Sequence, residues 1–351
     1  MSAYKGSKVR DYKPEPIPDV VIKKDPEPEK KGEGGDNPEY VGYEYHYGTL
    51  DDAQRAVYRQ IFDAIVNKRS CLSPSCSRSD AITVTEYLLD DYPSFFHIRF
   101  RLSEEGFTPF IVFIDRMMDD DTYRKAYDTM CSSITATGDE VDIEKAVRNR
   151  IIADTKPPCQ GGRDWTADNA YGVLMNHVGT DEGIARAISF VLNRNGVKCT
   201  VIRGSLDGMP HVWDLVSVGR SYGHMDPTLD VNEDGSPSYI YFNLTDKRMA
   251  LNHEWSVPTH CTDPLIRYLG ENPCRASDLI EAEDRMSLML RAKKRSFSLF
   301  MIGTVSYSYD VILRTVEQSF AKYGIPGTRI SISGFDEVQQ VFNFRICDQN
   351  A

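Results

Sequence analysis

Between Asn176 and Gly196 the chain reads NHVGTDEGIARAISFVLNRNG, a polar loop that runs into a strongly apolar helix. Such a helix has to be covered by other layers, and a 351-residue chain with 41% hydrophobic residues can supply the core to cover it. The helix opens on two acids, Asp181 and Glu182, where unpaired backbone N–H groups and the helix dipole favour negative charge. That position is both exposed and polarised, so its occupant decides what chemistry the helix end can support.

The rest of the composition excludes more than it assigns. A formal net charge of -11 argues against a general phosphate-backbone binder, so no nucleic-acid partner is expected. No apolar run approaches the ~18 residues of a membrane span, and the start, MSAYKGSKVRDYKPEP, lacks the apolar core of a signal peptide. As written the chain carries no export address; the sequence does not fix the compartment, with the cell exterior or surface expected if a leader was trimmed and the cytoplasm otherwise. Eight cysteines (Cys71, Cys76, Cys131, Cys159, Cys199, Cys261, Cys274, Cys347) are too few and scattered for a disulfide framework. Cys71 with Cys76, or Cys261 with Cys274, could bridge in an oxidising compartment; neither spacing has the doubled CxxC form of a zinc site. No cofactor motif is present, and oligomeric state is not legible.

Four segments follow from pattern. Residues 1–45, rich in Pro, Lys, Glu and Gly, cannot bury enough surface to offset their ordering entropy and read as a disordered tether. Residues 46–157 read as an α+β lead-in: a helix over LDDAQRAVYRQIFDAIVNK, strands in FFHIRFRL and FIVFIDRM, then two helices over DTYRKAYDTMCSSI and DEVDIEKAVRNRIIAD. Residues 158–275 hold the apolar helix and strands around CTVIRGS, HVWDLVSV and YGHMDPT. Residues 276–351 offer a helix over DLIEAEDRMSLMLRAKKR and then a strand, helix, strand, strand order, a small βαββ unit.

Three pieces stand in order: GTDEGIARA, GMPHVWDLVSV and YGHMDPTLD. With the continuation FVLNRNGVKCTVIRGS they resemble the transglutaminase-like, papain-related family in its bacterial form, in which a Cys at a helix start, a His on the next strand and an Asp on the following strand form a triad. The resemblance implies an α+β fold with a central helix on an antiparallel sheet. It carries His211, Trp213, Tyr222, Asp226 and Thr228 onto matching positions, and it puts Asp181 where the family has its nucleophilic Cys. Asp214 stands where Asn is usual and Leu229 where Trp is usual.

The exchange at position 181 has a chemical consequence. A helix N-terminus turns a thiol into a thiolate that attacks acyl carbon, whereas it only keeps a carboxylate ionised, and carboxylate attack on an amide leads uphill to an anhydride. Thiol acyl transfer is therefore excluded at Asp181; Cys159, in CQGG, is a poor substitute because no apolar helix follows it. What remains is Asp181, His211 and Asp226, an imidazole between two carboxylates, with a raised His211 pKa expected. Such a set could serve a hydrolase with Asp181 as base or nucleophile, including at a glycosidic carbon, or could ligate a divalent metal. The plain alternative is that Asp181 caps the helix, accepting from the N–H groups of Gly183 and Ile184.

Trp165, Trp213, Tyr222 and Glu182 are the expected cleft-lining residues. Trp213 shares the strand face of His211, and Glu182 lies about 100° further round the helix, a dipole partner rather than a reactant. His177, His224, His253 and His260 read as surface or satisfied core histidines; His224, two residues from Asp226 on one strand face, is the one that could join the site. The leading functional expectation is a cleft that has lost its Cys nucleophile and binds a peptide, protein or glycan. The runner-up readings are the Asp-His-Asp hydrolase and an engineered, inactive Cys→Asp form of an enzyme of this family.

Overall fold

The computed structural model describes residues 40–106, 109–159, 165–232, 235–263, 266–268 and 272–348; residues 1–39, most of the stretch read as a tether, lie outside them. The last residues of that stretch are packed: the Tyr40 ring lies tilted against Phe95 with centroids 5.1 Å apart, and the Tyr43 N–H donates to Asp91 O at 2.9 Å. In chain order the first elements are α1 (Tyr45–Thr49), α2 (Asp52–Val66), β1 (Cys71–Leu72), α3 (Arg78–Asp91), β2 (Ile98–Leu102) and β3 (Val112–Arg116). They continue with α4 (Asp120–Ser133), α5 (Glu140–Asp154), α6 (Ala170–Asn176), α7 (Asp181–Arg194), β4 (Cys199–Leu206), β5 (Met209–Val218) and β6 (Ser221–Met225). The C-terminal part holds α8 (Asp246–Met249), β7 (His253–Trp255), β8 (Pro273–Ala276), α9 (Leu279–Arg291), β9 (Ser296–Met301), α10 (Tyr309–Tyr323), β10 (Thr328–Asp336) and β11 (Val341–Asp348).

Caps explain why these helices start where they do. The Asp51 side chain accepts from Gln54 N, with Gln54 reaching back to the Asp51 N–H, so α2 begins with a capping box. Asp119, Asp139 and Asp278 cap α4, α5 and α9 in the same Asp-first manner. Among the described residues the strands form three sheets: β1-β3-β2, β6-β5-β4-β7 and β10-β11-β9-β8. The middle sheet is antiparallel throughout, and the C-terminal sheet adds the parallel pair β8 and β9 joined through α9.

Helix α7 is the centre of the packing. Ile188, Phe190 and Leu192 are fully buried, each contributing roughly 1.5–3 kcal/mol relative to exposure. They pack among α4, α5 and one face of the middle sheet, through Cys199, Val216 and Met225. The opposite face, with Ile202, Trp213 and Leu215, packs on Ile240, Tyr241 and Leu244 and on Phe300 and Val341 of the C-terminal sheet. The middle sheet is thus covered on both sides, which is why HVWDLVSV has so little polar surface. All eight cysteines are free thiols, including the two pairs with spacing for a bridge.

Candidate functional site

The middle sheet and the start of α7 meet at one point. Thr180, not Asp181, caps α7: its Oγ1 accepts from Gly183 N at 3.3 Å and donates to Asp168 Oδ1 at 2.8 Å. Gly183 lets the helix start press against the preceding loop, because a Cβ there would sit 2.0 Å from Ala167 O. With the cap supplied by its neighbour, Asp181 is free to turn toward β5. Its Oδ1 accepts from Glu182 N at 2.9 Å, and its Oδ2 accepts from Val212 N at 3.2 Å and lies 2.9 Å from His211 Nδ1.

His211 Nε2 lies 2.7 Å from Asp226 Oδ2, so each ring nitrogen faces a carboxylate. The other oxygen of Asp226 accepts from Thr228 N at 3.1 Å and Thr228 Oγ1 at 2.7 Å. Asp226 is fully buried and the His211 side chain is 11% exposed, while that of Asp181 is 33% exposed, so the set opens to solvent at the helix end. Burial alone lowers the His211 pKa; the hydrogen bonds and charges of Asp181 and Asp226 outweigh it and hold the ring up at about 10. Asp181 and Asp226 move the other way: burial opposes ionisation, and the imidazole overcomes it, leaving both below the usual carboxylate range. At neutral pH the set is a closed triplet of carboxylate, imidazolium and carboxylate. It offers no ring lone pair to take a proton and no thiol to attack.

A second imidazole, not assigned to the site from sequence, touches the same carboxylate. His253 on β7 places Nε2 at 3.2 Å from Asp226 Oδ2, and its Nδ1 is 2.8 Å from Asn252 Oδ1. β7 comes this close because β4 has Gly204 opposite it, where a Cβ would meet Glu254 O at 2.0 Å.

The four expected cleft residues go to different places. Trp213 is fully buried, its ring 6.1 Å from that of His211, and its Nε1 donates to His224 Nδ1 at 3.0 Å. It is a wall behind the triplet rather than a surface. Tyr222 lies four residues up β6 from Asp226, about 13 Å at strand rise, with its hydroxyl 2.5 Å from Tyr43 Oη. Trp165 and Glu182 line a groove of about 680 Å³ bordered by α3, β2 and the first turns of α7. In it Glu182 Oε1 accepts from Arg203 at 2.7 Å and Arg186 at 2.8 Å, and both arginines also bind the fully buried Asp90. The groove runs beside the triplet, since Arg203 pairs across the sheet with Val212, whose N–H holds Asp181. Cys159 is exposed, and no described contact links it to His211.

Asp214, where the resemblance has Asn, is completely buried, and burial pushes its pKa well above the carboxylate range. It is a neutral acid accepting from the Cys199 thiol at 3.5 Å, close in polarity to the amide that the resemblance would put there. His224, the sequence exception, is buried on the face of Trp213, with Nε2 2.9 Å from Asp246 Oδ1.

No family model matches this chain, and no curated protein is similar enough in sequence to count as a relative. Among solved structures, a chain described as a TGase aligns at 14% identity and TM-score 0.27, covering 37% of this chain and 44% of its own. A candidate cysteine protease from Cytophaga hutchinsonii aligns at 10% identity and TM-score 0.25, over 40% of this chain and 65% of its own. A candidate protease from Parabacteroides distasonis aligns at 9% and TM-score 0.26, over 70% and 61%. The chain spans less than two thirds of each of these proteins. Its neighbours are thus transglutaminase-like and cysteine-protease-like chains at weak similarity, and at these scores they carry no argument about activity.

Proposed function

We propose that this protein is a non-acylating relative of the transglutaminase-like, papain-related fold that binds an extended peptide in the groove beside its closed triplet. The observation that carries the reading is the pairing of both His211 nitrogens with carboxylates, next to a groove that stays open. An Asp181 whose two oxygens accept from Glu182, Val212 and His211 is poorly placed as base or nucleophile.

The character of the groove favours a peptide over a glycan. Strand β2 is at the edge of its sheet, and Ile98, Arg99, Phe100 and Leu102, from both of its faces, border the groove. Ser103 N donates to Ile111 O and Met117 N to His97 O, so the odd-numbered residues spend their backbone groups on β3. By antiparallel alternation, those of Ile98, Phe100 and Leu102 point away from β3, where an added strand would pair with them. Tyr92, Phe96 and Trp165 supply apolar walls for its side chains.

The test is anisotropy of labelled, alternating apolar pentapeptides on the full chain, with hydrolysis and acyl transfer of the same peptides followed in parallel. Phe100→Pro should weaken binding at least tenfold with little loss of stability, since proline is tolerated on an edge strand. Asp181→Asn should leave affinity within about twofold. Peptide turnover by the wild type that vanishes in Asp181→Asn would replace this reading with the hydrolase.

A further inference from the structure

We propose that His211 Nε2, His253 Nε2 and Asp226 Oδ2 form a binding site for a divalent transition-metal cation of the zinc type. The three atoms converge from β5, β7 and the segment after β6: Asp226 Oδ2 is 2.7 Å from His211 Nε2 and 3.2 Å from His253 Nε2, and all three lie within 4.8 Å of one another. Donors about 2.0–2.1 Å from a tetrahedral zinc ion stand roughly 3.3 Å apart, so small outward movements seat the ion. Three protein donors are the number that leaves a position for water or a ligand.

The partners behind these atoms favour a cation more than their proximity does. A coordinating imidazole gives up one nitrogen and donates from the other, usually to a carboxylate or carbonyl that fixes the tautomer. Both rings have that acceptor on the far side: His211 Nδ1 is 2.9 Å from Asp181 Oδ2, and His253 Nδ1 is 2.8 Å from Asn252 Oδ1. The amide is oriented in turn, because Asn252 Nδ2 donates to Tyr241 Oη at 2.8 Å and that hydroxyl donates to Asp336 Oδ2 at 2.6 Å. The third ligand is held as well, since Thr228 occupies Asp226 Oδ1 and leaves Oδ2 for the centre. On binding, the cation takes the place between the two Nε2 atoms and Asp226 Oδ2, and a proton it displaces leaves to solvent. A carboxylate at position 181 then has a role that a thiol fills poorly: a strong, charged acceptor for the Nδ1 proton of His211.

The nearby cluster of His224, Asp246 and Cys261 has similar spacing and fails the same criterion. His224 Nδ1 accepts from the Trp213 indole, so its far nitrogen meets a donor where a coordinating imidazole needs an acceptor. The Cys261 thiol, raised far above its usual range by burial, donates to Thr259 O. The two clusters give the experiment an internal control.

Chelator-stripped full-length protein is titrated with Zn²⁺ by calorimetry and by competition with a chromophoric chelator. The expected result is a saturable site for one equivalent, tighter at pH 8 than at pH 6, with a raised melting temperature. Affinity should fall at least about 100-fold in His253→Gln and about 10-fold in Asp181→Asn, and stay unchanged in Cys261→Ser. Should His253→Gln fail to fold, the visible spectrum of the Co²⁺-loaded wild type decides: nitrogen and oxygen donors support the site, and a thiolate charge-transfer band overturns it. Absence of saturable binding below millimolar Zn²⁺, or unchanged affinity in a folded His253→Gln protein, also overturns it. The inference goes beyond the peptide reading, and the two tests separate: peptide binding to the metal-free chain can succeed or fail whatever zinc does.

Discussion

His211 and His224 stand on one face of one sheet, each within 3 Å of an aspartate, and they end in opposite states. His211 finds a second carboxylate, Asp181, at its other nitrogen and is held charged with a pKa of about 10. His224 finds the Trp213 N–H there, and burial together with nearby His253 outweighs Asp246, so its pKa is lowered. The lesson is that a His–Asp contact does not define a catalytic dyad; the partner of the far nitrogen decides the protonation state. Asp181 is that partner for His211, and it closes the second ring nitrogen with a carboxylate.

The strongest way to break the contrast is to remove the carboxylate under two imidazoles. Asp226→Ala leaves His211 and His253 facing a buried gap, and chemical denaturation should show a loss of about 3–5 kcal/mol. Trp213→Phe attacks the other side: it orphans buried His224 Nδ1, and a loss of about 1–3 kcal/mol is expected, with His211 resonances unmoved in the NMR spectrum.

Asp181→Asn sharpens the comparison through pH. A raised His211 pKa stabilises the fold in full below its unfolded value of about 6.5, and that stability drains away as pH rises through about 10. The lowered Asp181 pKa works at the other end, its contribution being lost as pH falls below the ordinary carboxylate range. Melting curves between pH 6 and 10 should therefore slope downward in the wild type and be flatter in Asp181→Asn. The smallest effect belongs to Thr180→Ala, about 1 kcal/mol from the lost cap with no change in the His211 titration. If Asp181→Asn instead behaves like Thr180→Ala, Asp181 is only a helix-start residue.

How much of this was readable beforehand varies with the range of the interactions. Helix α7 and strands β4 to β6 carry enough apolar pattern to be placed from sequence, and the motifs pointed to a helix start and two later strands; β4 intervenes between Asp181 on α7 and His211 on β5, and Asp226 falls just after β6. Helix α3 escaped notice because Ile82, Thr83, Val84 and Thr85 look like a strand and its apolar face is weak; tertiary burial of Val84 and Leu88 makes it a helix. It also carries Asp90, which organises the arginines of the groove. His253 escaped for another reason. Its strand is three residues long, too short for any alternation, and its link to Asp226 spans 27 residues of chain. Strand β8, whose parallel partner lies beyond a helix, was unreadable on the same grounds.

The central claim is that Asp181 closes the site by holding His211 as an imidazolium. The direct measurement is the ¹H–¹⁵N NMR titration of the side chain of His211 in chelator-treated protein. The account predicts both ring nitrogens still protonated at pH 8, with deprotonation only near pH 10. A neutral ring with one free nitrogen at pH 7 would contradict it and return His211 to the role of a base.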